Sequence, residues 1–356
     1  MDAMPRVSII ILNWNGWKDT IECLESVYQI TYPNYDVIVV DNGSENESVE
    51  KIKEYAEGRL PVESHFFEYA TENKPLQYVE YSLEDAETGE GKERAVAHLP
   101  SNKKLILIKN GKNFGFAEGN NLAIRYALRS LDPEYVLLLN NDTIVAKNFL
   151  KEMITVSLQD SNNAIIGPKV YYYDYRGQKN VIHSAGARIL VKQGLAPPRG
   201  VNEIDIGQYD EIRHVDYIEG ACMLIKRSLI ETIGLLDPVY FAYWEETDWC
   251  YRASKSDFKI VYVPKAKIWH KTPERKVSKL ATYLITRNKF IFLKKNAKLK
   301  ELCVFCVYYA AFYFWYRLAI ILLYYRNLDV FRSYLRGNCD GLLFLITGRL
   351  YQQSVA

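Results

Sequence analysis

Tyr135-Val136-Leu137-Leu138-Leu139-Asn140-Asn141-Asp142 is the stretch on which the reading of this chain turns. Its first five residues are apolar and partly β-branched, short enough for a strand covered on both faces of a parallel sheet. The run stops on two amides and a carboxylate, which puts polar groups at the carboxyl end of the strand. Ligands of open α/β sheets bind along that edge. Asp142 is therefore a candidate ligand for a hard divalent cation of the kind that neutralises a diphosphate. Asn140 and Asn141 stand beside it to hydrogen-bond a nucleotide or metal-bound water. The competing reading is an Asx turn, in which Asn and Asp bond their own backbone. The neighbouring chain decides between them.

Upstream, residues 6–12 form a β-branched apolar run that ends in Asn13-Trp14-Asn15-Gly16. Ile21, Leu24 and Tyr28 then recur at helical spacing, and residues 35–40 make a second buried strand ending in Asp41-Asn42-Gly43-Ser44. Two strands with a helix between them are a right-handed βαβ unit. Both put acceptors on one edge, as a nucleotide base and ribose require. A third strand at 104–109 runs into a Gly-rich turn, Asn110 to Asn121, and then a helix carrying Leu122, Ala123, Tyr126 and Ala127. Glycines let backbone approach a ligand, and a helix N-terminus offers free N–H groups to an anion. Between these elements, residues 58–103 are polar, acid-rich and weakly periodic. They read as an insertion, part hairpin over 77–83 and part mobile, a solvated excursion more than a lid.

Downstream, a helix over 147–158 precedes a strand over 164–172, and a strand over 220–226 precedes a helix over 227–233. Then comes Phe241-Ala242-Tyr243-Trp244-Glu245-Glu246-Thr247-Asp248-Trp249. Three acids within four residues are costly to gather, because like charges repel and desolvation raises their pKa values. A solvated acidic helix start is the alternative. The two tryptophans and two tyrosines around the acids, Tyr243, Trp244, Trp249 and Tyr251, instead suggest a pocket wall, and Tyr243, Trp244 and Trp269 are the acceptor-binding candidates. Ile268-Trp269-His270 ends on one of five histidines. It closes a strand beside others that end in acids, which favours a metal-ligand role.

The chain of 356 residues is long enough for one large domain or two smaller ones. Its net charge of +2 argues against a dedicated nucleic-acid binder. The six cysteines show no disulfide framework, and the Cys303/Cys306 pair reads as helix packing. A strand begins by about residue six, which leaves no room for a secretory signal, so the catalytic part is expected in the cytoplasm. Beyond residue 271, Arg287, Lys289, Lys294, Lys295, Lys298 and Lys300 precede an apolar stretch over 302–325. Such a basic cluster is drawn to anionic lipid at about 1 kcal/mol per residue, and roughly 20 apolar residues span a bilayer. Arg317 inside the stretch, and aromatics spread along it, favour a helix lying in the interface. A spanning or re-entrant helix and a buried oligomer contact are the alternatives. Residues 331–350 add a second amphipathic segment with Arg332, Arg336 and Arg349.

From Val7 to about His270 the chain resembles the family 2 inverting glycosyltransferases of GT-A fold, in particular their rhamnosyltransferase-like branch. The resemblance rests on Ser8 to Asn15, Val40 to Ser44, Asn113 to Asn121, Leu139 to Asp142, Gly220 to Lys226 before Gly234-Leu235-Leu236-Asp237, Glu245 to Asp248, and His270. It covers about three-quarters of the chain and excludes the acidic insertion. It implies an α/β fold, a Rossmann-like, mostly parallel sheet flanked by helices. By the same resemblance Asn13, Trp14, Asn15 and Asp41 hold base and ribose, while Asn113 and Gly115 line the donor pocket with Asn140 and Asn141. Asp142 and His270 hold Mg²⁺ or Mn²⁺, and Glu246 is the catalytic base, with Glu245 and Asp248 as the rivals for that role. Asn140 replaces the first carboxylate of the family's metal motif, so the cation is expected to depend on the donor diphosphate. Glu246 stands where an Asp is usual.

Together these readings predict a catalytic domain over 1–271 and a basic, hydrophobic helical region over 272–356 that associates with membrane. The expected reaction moves a sugar from a UDP- or dTDP-sugar to a hydroxyl of a lipid-linked glycan at the cytoplasmic face of the membrane, as in polysaccharide or glycolipid assembly. A single displacement needs one base for the acceptor hydroxyl and positive charge for the departing diphosphate. A homo-oligomer is left open. The rivals are a sugar-1-phosphate nucleotidyltransferase, which would place a Gly- and Arg-rich loop after the first strand, and a non-catalytic scaffold of the same fold.

Overall fold

The computed structural model describes residues 4–89, 91–272 and 278–350. Its centre is a sheet whose inner strands are the apolar runs of the sequence. β1 (Val7–Asn13) pairs in parallel with β2 (Tyr35–Asp41) on one side and β5 (Tyr135–Asn140) on the other. Outside β2 lie β4 (Lys104–Lys109) and then β3 (Gln77–Ser82), both also parallel. On the other flank β10 (Cys222–Lys226) runs antiparallel to β5 and to β7 (Asn163–Tyr172), which pairs in parallel with β11 (Lys259–His270). The short strand β6 (Thr143–Val145) closes that edge, and β8 (Ile182–Ser184) and β9 (Arg213–His214) add to β7 and β11. The sheet is mixed: the run β3–β4–β2–β1–β5 is parallel throughout, as expected, while β10, β6, β8 and β9 join antiparallel.

Side chains alternate across each strand, so one strand feeds two cores. Ile9 and Ile11 face a layer made by α1 (Trp17–Tyr28), α2 (Ser48–Ala56) and α5 (Phe149–Ser157). Ile10 faces the opposite layer, α4 (Gly115–Ser130), α6 (Arg227–Ile233) and α7 (Glu245–Lys255). Covering both faces is what permits strands as uniformly apolar as β5.

The insertion corrects the sequence reading. Residues 77–82 are not half of a hairpin: they form an edge strand parallel to β4, followed by the capped helix α3 (Leu83–Thr88). The segment before β3 is tied down by a buried ion pair. Glu25 of α1, with its side chain wholly buried, meets Lys74 at 2.9 Å and accepts hydrogen bonds from the Tyr55 hydroxyl and the Ala70 amide. A buried charge is tolerated only when so partnered.

The helical end begins with α8 (Lys279–Asn296), continues into the long helix α9 (Leu299–Tyr325) and returns as α10 (Leu328–Thr347). Arg326, in the left-handed region at φ 49°, makes the turn, and the Asn327 side chain caps α10 by accepting from the amides of Asp329 and Val330. Gly337 and Gly341 let α10 lie directly on α8, since a Cβ there would meet the Tyr283 carbonyl at 2.7 Å or the Phe290 ring at 2.4 Å. Cys303 and Cys306 are exposed on α9, not packed between helices.

Candidate active site

The strand register gathers the polar termini on one edge. Asn13 sits opposite Asp41, and Leu12 opposite Asn140. Asn13 and Asp41 are buried, and they bind each other: Asn13 Nδ2 donates to Asp41 Oδ1 at 2.8 Å and to Ser44 Oγ at 3.1 Å, while Thr20 donates to Asn13 Oδ1. Asn15 and Asn141 are similarly engaged: the Asn15 backbone amide donates to Ser44 Oγ and Asn141 Nδ2 donates to Thr20 Oγ1. These four hold the edge together. The other four donor-site candidates, Trp14, Asn113, Gly115 and Asn140, line a cavity of about 580 Å³. That is the scale of a small-molecule site (~300–1,000 Å³).

One wall of the cavity carries His270 of β11, which runs beside β6. Their antiparallel pairing sets His270 opposite Thr143, so the residue before Thr143 arrives beside the imidazole. His270 Nε2 lies 3.1 Å from Asp142 Oδ1, and the Lys271 amide donates to the Asp142 carbonyl at 2.9 Å. Neither Asp142 Oδ1 nor His270 Nδ1 is satisfied by a hydrogen bond, although both are buried. Burial pushes the His270 pKa down, the Asp142 carboxylate pushes it up, and the carboxylate prevails. His270 Nε2 and Asp142 Oδ1, 3.1 Å apart, are a nitrogen and an oxygen spaced as two neighbouring ligands of one divalent cation would be. Among the described residues, however, no three His, Cys, Asp or Glu side chains cluster as a metal site. A cation here fits only if the remaining ligands come from a diphosphate or water.

The opposite wall is a loop under backbone strain. Phe241, Tyr243 and Trp244 all have positive φ, at 65°, 67° and 78°. Such conformations cost ~1–3 kcal/mol each for residues with a Cβ and persist only where the surroundings impose them. Here the surroundings are explicit. Asn288 Nδ2 of α8 lies 2.9, 2.8 and 2.7 Å from the carbonyls of Tyr240, Ala242 and Tyr243, and Arg287 donates to Tyr240 at 3.0 Å. From the other side Gly115, at φ 78°, lets the Phe241 carbonyl approach to where a Cβ would sit only 2.5 Å away. The strained loop delivers Glu245 and Glu246 into the cavity wall at the start of α7.

Both glutamates have a buried carboxylate oxygen without a partner. Burial raises both pKa values, and each has a further acid beside it: Glu246 acts on Glu245, and Glu219 acts on Glu246. The helix N-terminus does not offset this, because the gain there is ~0.3–1 kcal/mol at a surface. The site thus holds a paired carboxyl whose proton is retained well into the range of a working base.

Three sequence expectations are corrected. Asp248 does not share the cavity: it accepts from Tyr240, Arg252 and Asn296 on the far side of α7. Successive helix residues turn by about 100°, so Glu246 and Asp248 point ~200° apart. Consequently burial and Glu219, not Asp248, set the proton affinity of Glu246. Trp244 and Trp269 are not cavity walls either. Trp244 packs on Phe292 of α8, and Trp269, adjacent to His270 on a strand, points to the other face and donates to the Lys179 carbonyl. Of the three acceptor candidates only Tyr243 lines the cavity.

Sequence reasoning also missed two residues. His183 of β8 and Glu219 line the cavity, 3.1 Å apart, and the His183 ring stands edge-on to His270 at 5.4 Å. Each is a lone polar residue in an irregular stretch, and no local signal marks it.

Residues 83–289, more than half of the chain, match the family described as glycosyltransferase-like family 2, and residues 8–74 match glycosyl transferase family 2. The chain is similar to the low-salt glycan biosynthesis hexosyltransferase Agl10 of Haloferax volcanii, 31% identical over 54% of this chain and 61% of that protein. It is also similar to the dTDP-rhamnosyl transferase RfbF of Shigella flexneri, 24% identical over 54% of this chain and 64% of that one. The match spans less than two thirds of either relative. Among solved structures, the mannosyltransferase PcManGT of Pyrobaculum calidifontis, in complex with GDP-Man and Mn²⁺, has a TM-score of 0.54 at 15% identity, covering 98% of this chain and 89% of that one. That likeness shows the fold, a GT-A-like α/β sheet flanked by helices.

Proposed function

The chain belongs to glycosyltransferase family 2, and from that premise we propose that it moves a sugar from a UDP- or dTDP-sugar to a hydroxyl of a membrane lipid-linked glycan, with inversion at the anomeric carbon. One observation carries the reading. Glu245 and Glu246, each with one buried carboxylate oxygen lacking a partner, line one cavity with His270, and His270 is paired with Asp142. That is a base and a charge-holding site facing one volume, the two things a single displacement needs.

Glu246 takes the proton from the acceptor hydroxyl as that oxygen bonds to the anomeric carbon and the bond to the diphosphate breaks. Glu245, whose pKa is raised further by the charge on Glu246, stays neutral and so avoids a second negative charge beside the base. Trp14, Asn113 and Asn140 line the donor end, with Asn13, Asn15, Asp41 and Asn141 holding that end in shape. Tyr243 borders the acceptor side. Asp142 and His270 would hold Mg²⁺ or Mn²⁺ together with the donor, supplying positive charge for the leaving diphosphate; the Mn²⁺ seen with GDP-Man in PcManGT supports this.

The exposed apolar face of α9 supports a membrane-bound acceptor, reached from the cytoplasmic side. The reading is tested by thermal-shift screening of UDP- and dTDP-sugars with Mn²⁺, since a ligand of the native state raises its melting temperature, followed by product analysis. Glu246→Gln should keep the donor-induced shift and lose transfer by about 10²–10⁴-fold. Undiminished transfer in that variant would overturn the assignment of the base.

A further inference from the structure

A second, smaller cavity of about 210 Å³ lies among α8, α9 and α10. It adjoins the first, because Ser278 and Ala281 at the head of α8 border both. The two differ in charge. Carboxyls wall the larger one, whereas the smaller one is bordered by Lys289, Arg317, Thr282, Tyr313 and Tyr334 and by no acid.

Lys289 is only 4% exposed, yet no carboxylate among the described residues pairs with it or with Arg317. Its ammonium rests over the Tyr313 ring at 3.9 Å and the Tyr309 ring at 5.4 Å. Burial and the charge of Arg317 push its pKa down to about 7. Two cations face one cavity, one of them removed from water, with only aromatic faces to compensate. Buried charges in folded chains are ordinarily paired, so the missing partner is an anion that comes from outside. The sequence offered Arg287, Lys289, Lys294, Lys295, Lys298 and Lys300 as one polybasic cluster, but Lys289 is turned inward, away from any surface lipid.

The setting narrows the anion. The cavity lies beneath α9, whose outer side chains Val307, Phe312 and Trp315 are exposed and apolar. An anion bound there has an apolar chain's route out along the helix on one side and the Glu246 cavity on the other. We propose that Lys289 and Arg317 form a phosphate-ester site that holds the phosphate or diphosphate head of the lipid-linked acceptor, and so presents the attached sugar hydroxyl to Glu246. This rests on the transferase reading above and adds where the acceptor is gripped. Lys289 and Arg317 are then positioning residues that touch the acceptor away from the reacting atoms.

The test is calorimetric titration of the full chain in detergent with farnesyl diphosphate, farnesol and inorganic diphosphate, in EDTA so that cation-dependent nucleotide binding is silent. Farnesyl diphosphate should bind and farnesol should not. Lys289→Met and Arg317→Gln should each weaken binding by about 10–100-fold, the worth of a charge-assisted contact, and Lys289→Arg should retain it. Without ligand Lys289→Met should melt higher than the native chain, because a buried unpaired charge has been removed; a merely structural lysine would give the reverse. Should Lys289→Met misfold, Arg317→Gln, at a half-buried position, carries the test. Inorganic diphosphate binding as tightly as the farnesyl ester would overturn the lipid assignment in favour of a free anion. No binding, or binding that ignores both substitutions, would overturn the site. Donor binding with Mn²⁺, scored separately on the native chain, then tells whether the transferase reading still stands.

Discussion

At the scale of single residues, the proton affinity of Glu246 is the property on which turnover depends in the mechanism proposed above. Burial raises it first and Glu219 adds to it. A carboxyl with a raised pKa loses its basic form at higher pH than an ordinary glutamate, near 4.3. The acid limb of kcat/KM should therefore fall more than a unit above that value. Glu219→Gln removes one charge and should shift the limb to lower pH while leaving the alkaline limb in place. A limb that stays put in Glu219→Gln would show that another group titrates. Asp142 and His270 were legible in the sequence because each sits where an apolar run stops, and a strand's end is a fixed place in such a fold; Glu246 was legible because three acids gather at 245–248. Glu219 and His183 were not, since their convergence depends on how an irregular segment crosses the sheet. Nor could the order of acids in Glu245-Glu246-Thr247-Asp248 show that a helix would turn Asp248 away.

At the scale of elements, the acid loop and α8 act as one unit. Strain at Phe241, Tyr243 and Trp244 is offset by Asn288, whose amide reaches three loop carbonyls. Asn288→Ala takes that donor from the Ala242 and Tyr243 carbonyls, at about 1–3 kcal/mol for each group left unsatisfied, while Arg287 still donates to Tyr240. The loop is then free to relax, and Glu246 moves with it. The expected outcome is a lower melting temperature and a kcat reduced by at least about tenfold with the donor affinity kept, read from donor titrations beside steady-state rates. Donor affinity lost in step with kcat would mean instead that the clamp shapes the whole cavity. The strands β1, β2, β4, β5, β7 and β10 and the helices α1, α4, α5 and α6 were readable from apolar runs and periodicity. The clamp was not, because Asn288 lies 45 residues beyond Tyr243 and its sequence neighbours read as part of a basic cluster. The parallel pairing of the edge strand β3, which the sequence suggested as part of a hairpin, escaped for another reason: polar and half-exposed, β3 lacks the apolar signature of its partners.

At the scale of the whole molecule, the helical end decides how the enzyme meets its acceptor. The helix α9 is one that is long and apolar enough to cross a bilayer, and its Val307 and Leu323 are 70% and 73% exposed. Yet α10 runs back along it, through contacts of Tyr334 and Asn338 with Phe314 and Tyr309, and α10 carries Arg332, Arg336 and Asp340. Were α9 to span the bilayer alone it would drag that charged partner with it, at ~2.5–3.5 kcal/mol for each charge near the centre. Moreover α10 is locked to α8, and α8 to the catalytic loop. A hairpin lying in the interface keeps all three contacts and still buries the apolar face. The full chain should therefore sediment with vesicles of phosphatidylcholine and phosphatidylglycerol, less so as salt screens Lys294, Lys298 and Lys300. Alkaline carbonate should release it, and a Val307→Glu, Leu323→Glu double variant should bind several-fold more weakly while the fold persists. Retention through carbonate extraction would instead mean that α9 crosses the membrane and that α10 leaves it to do so.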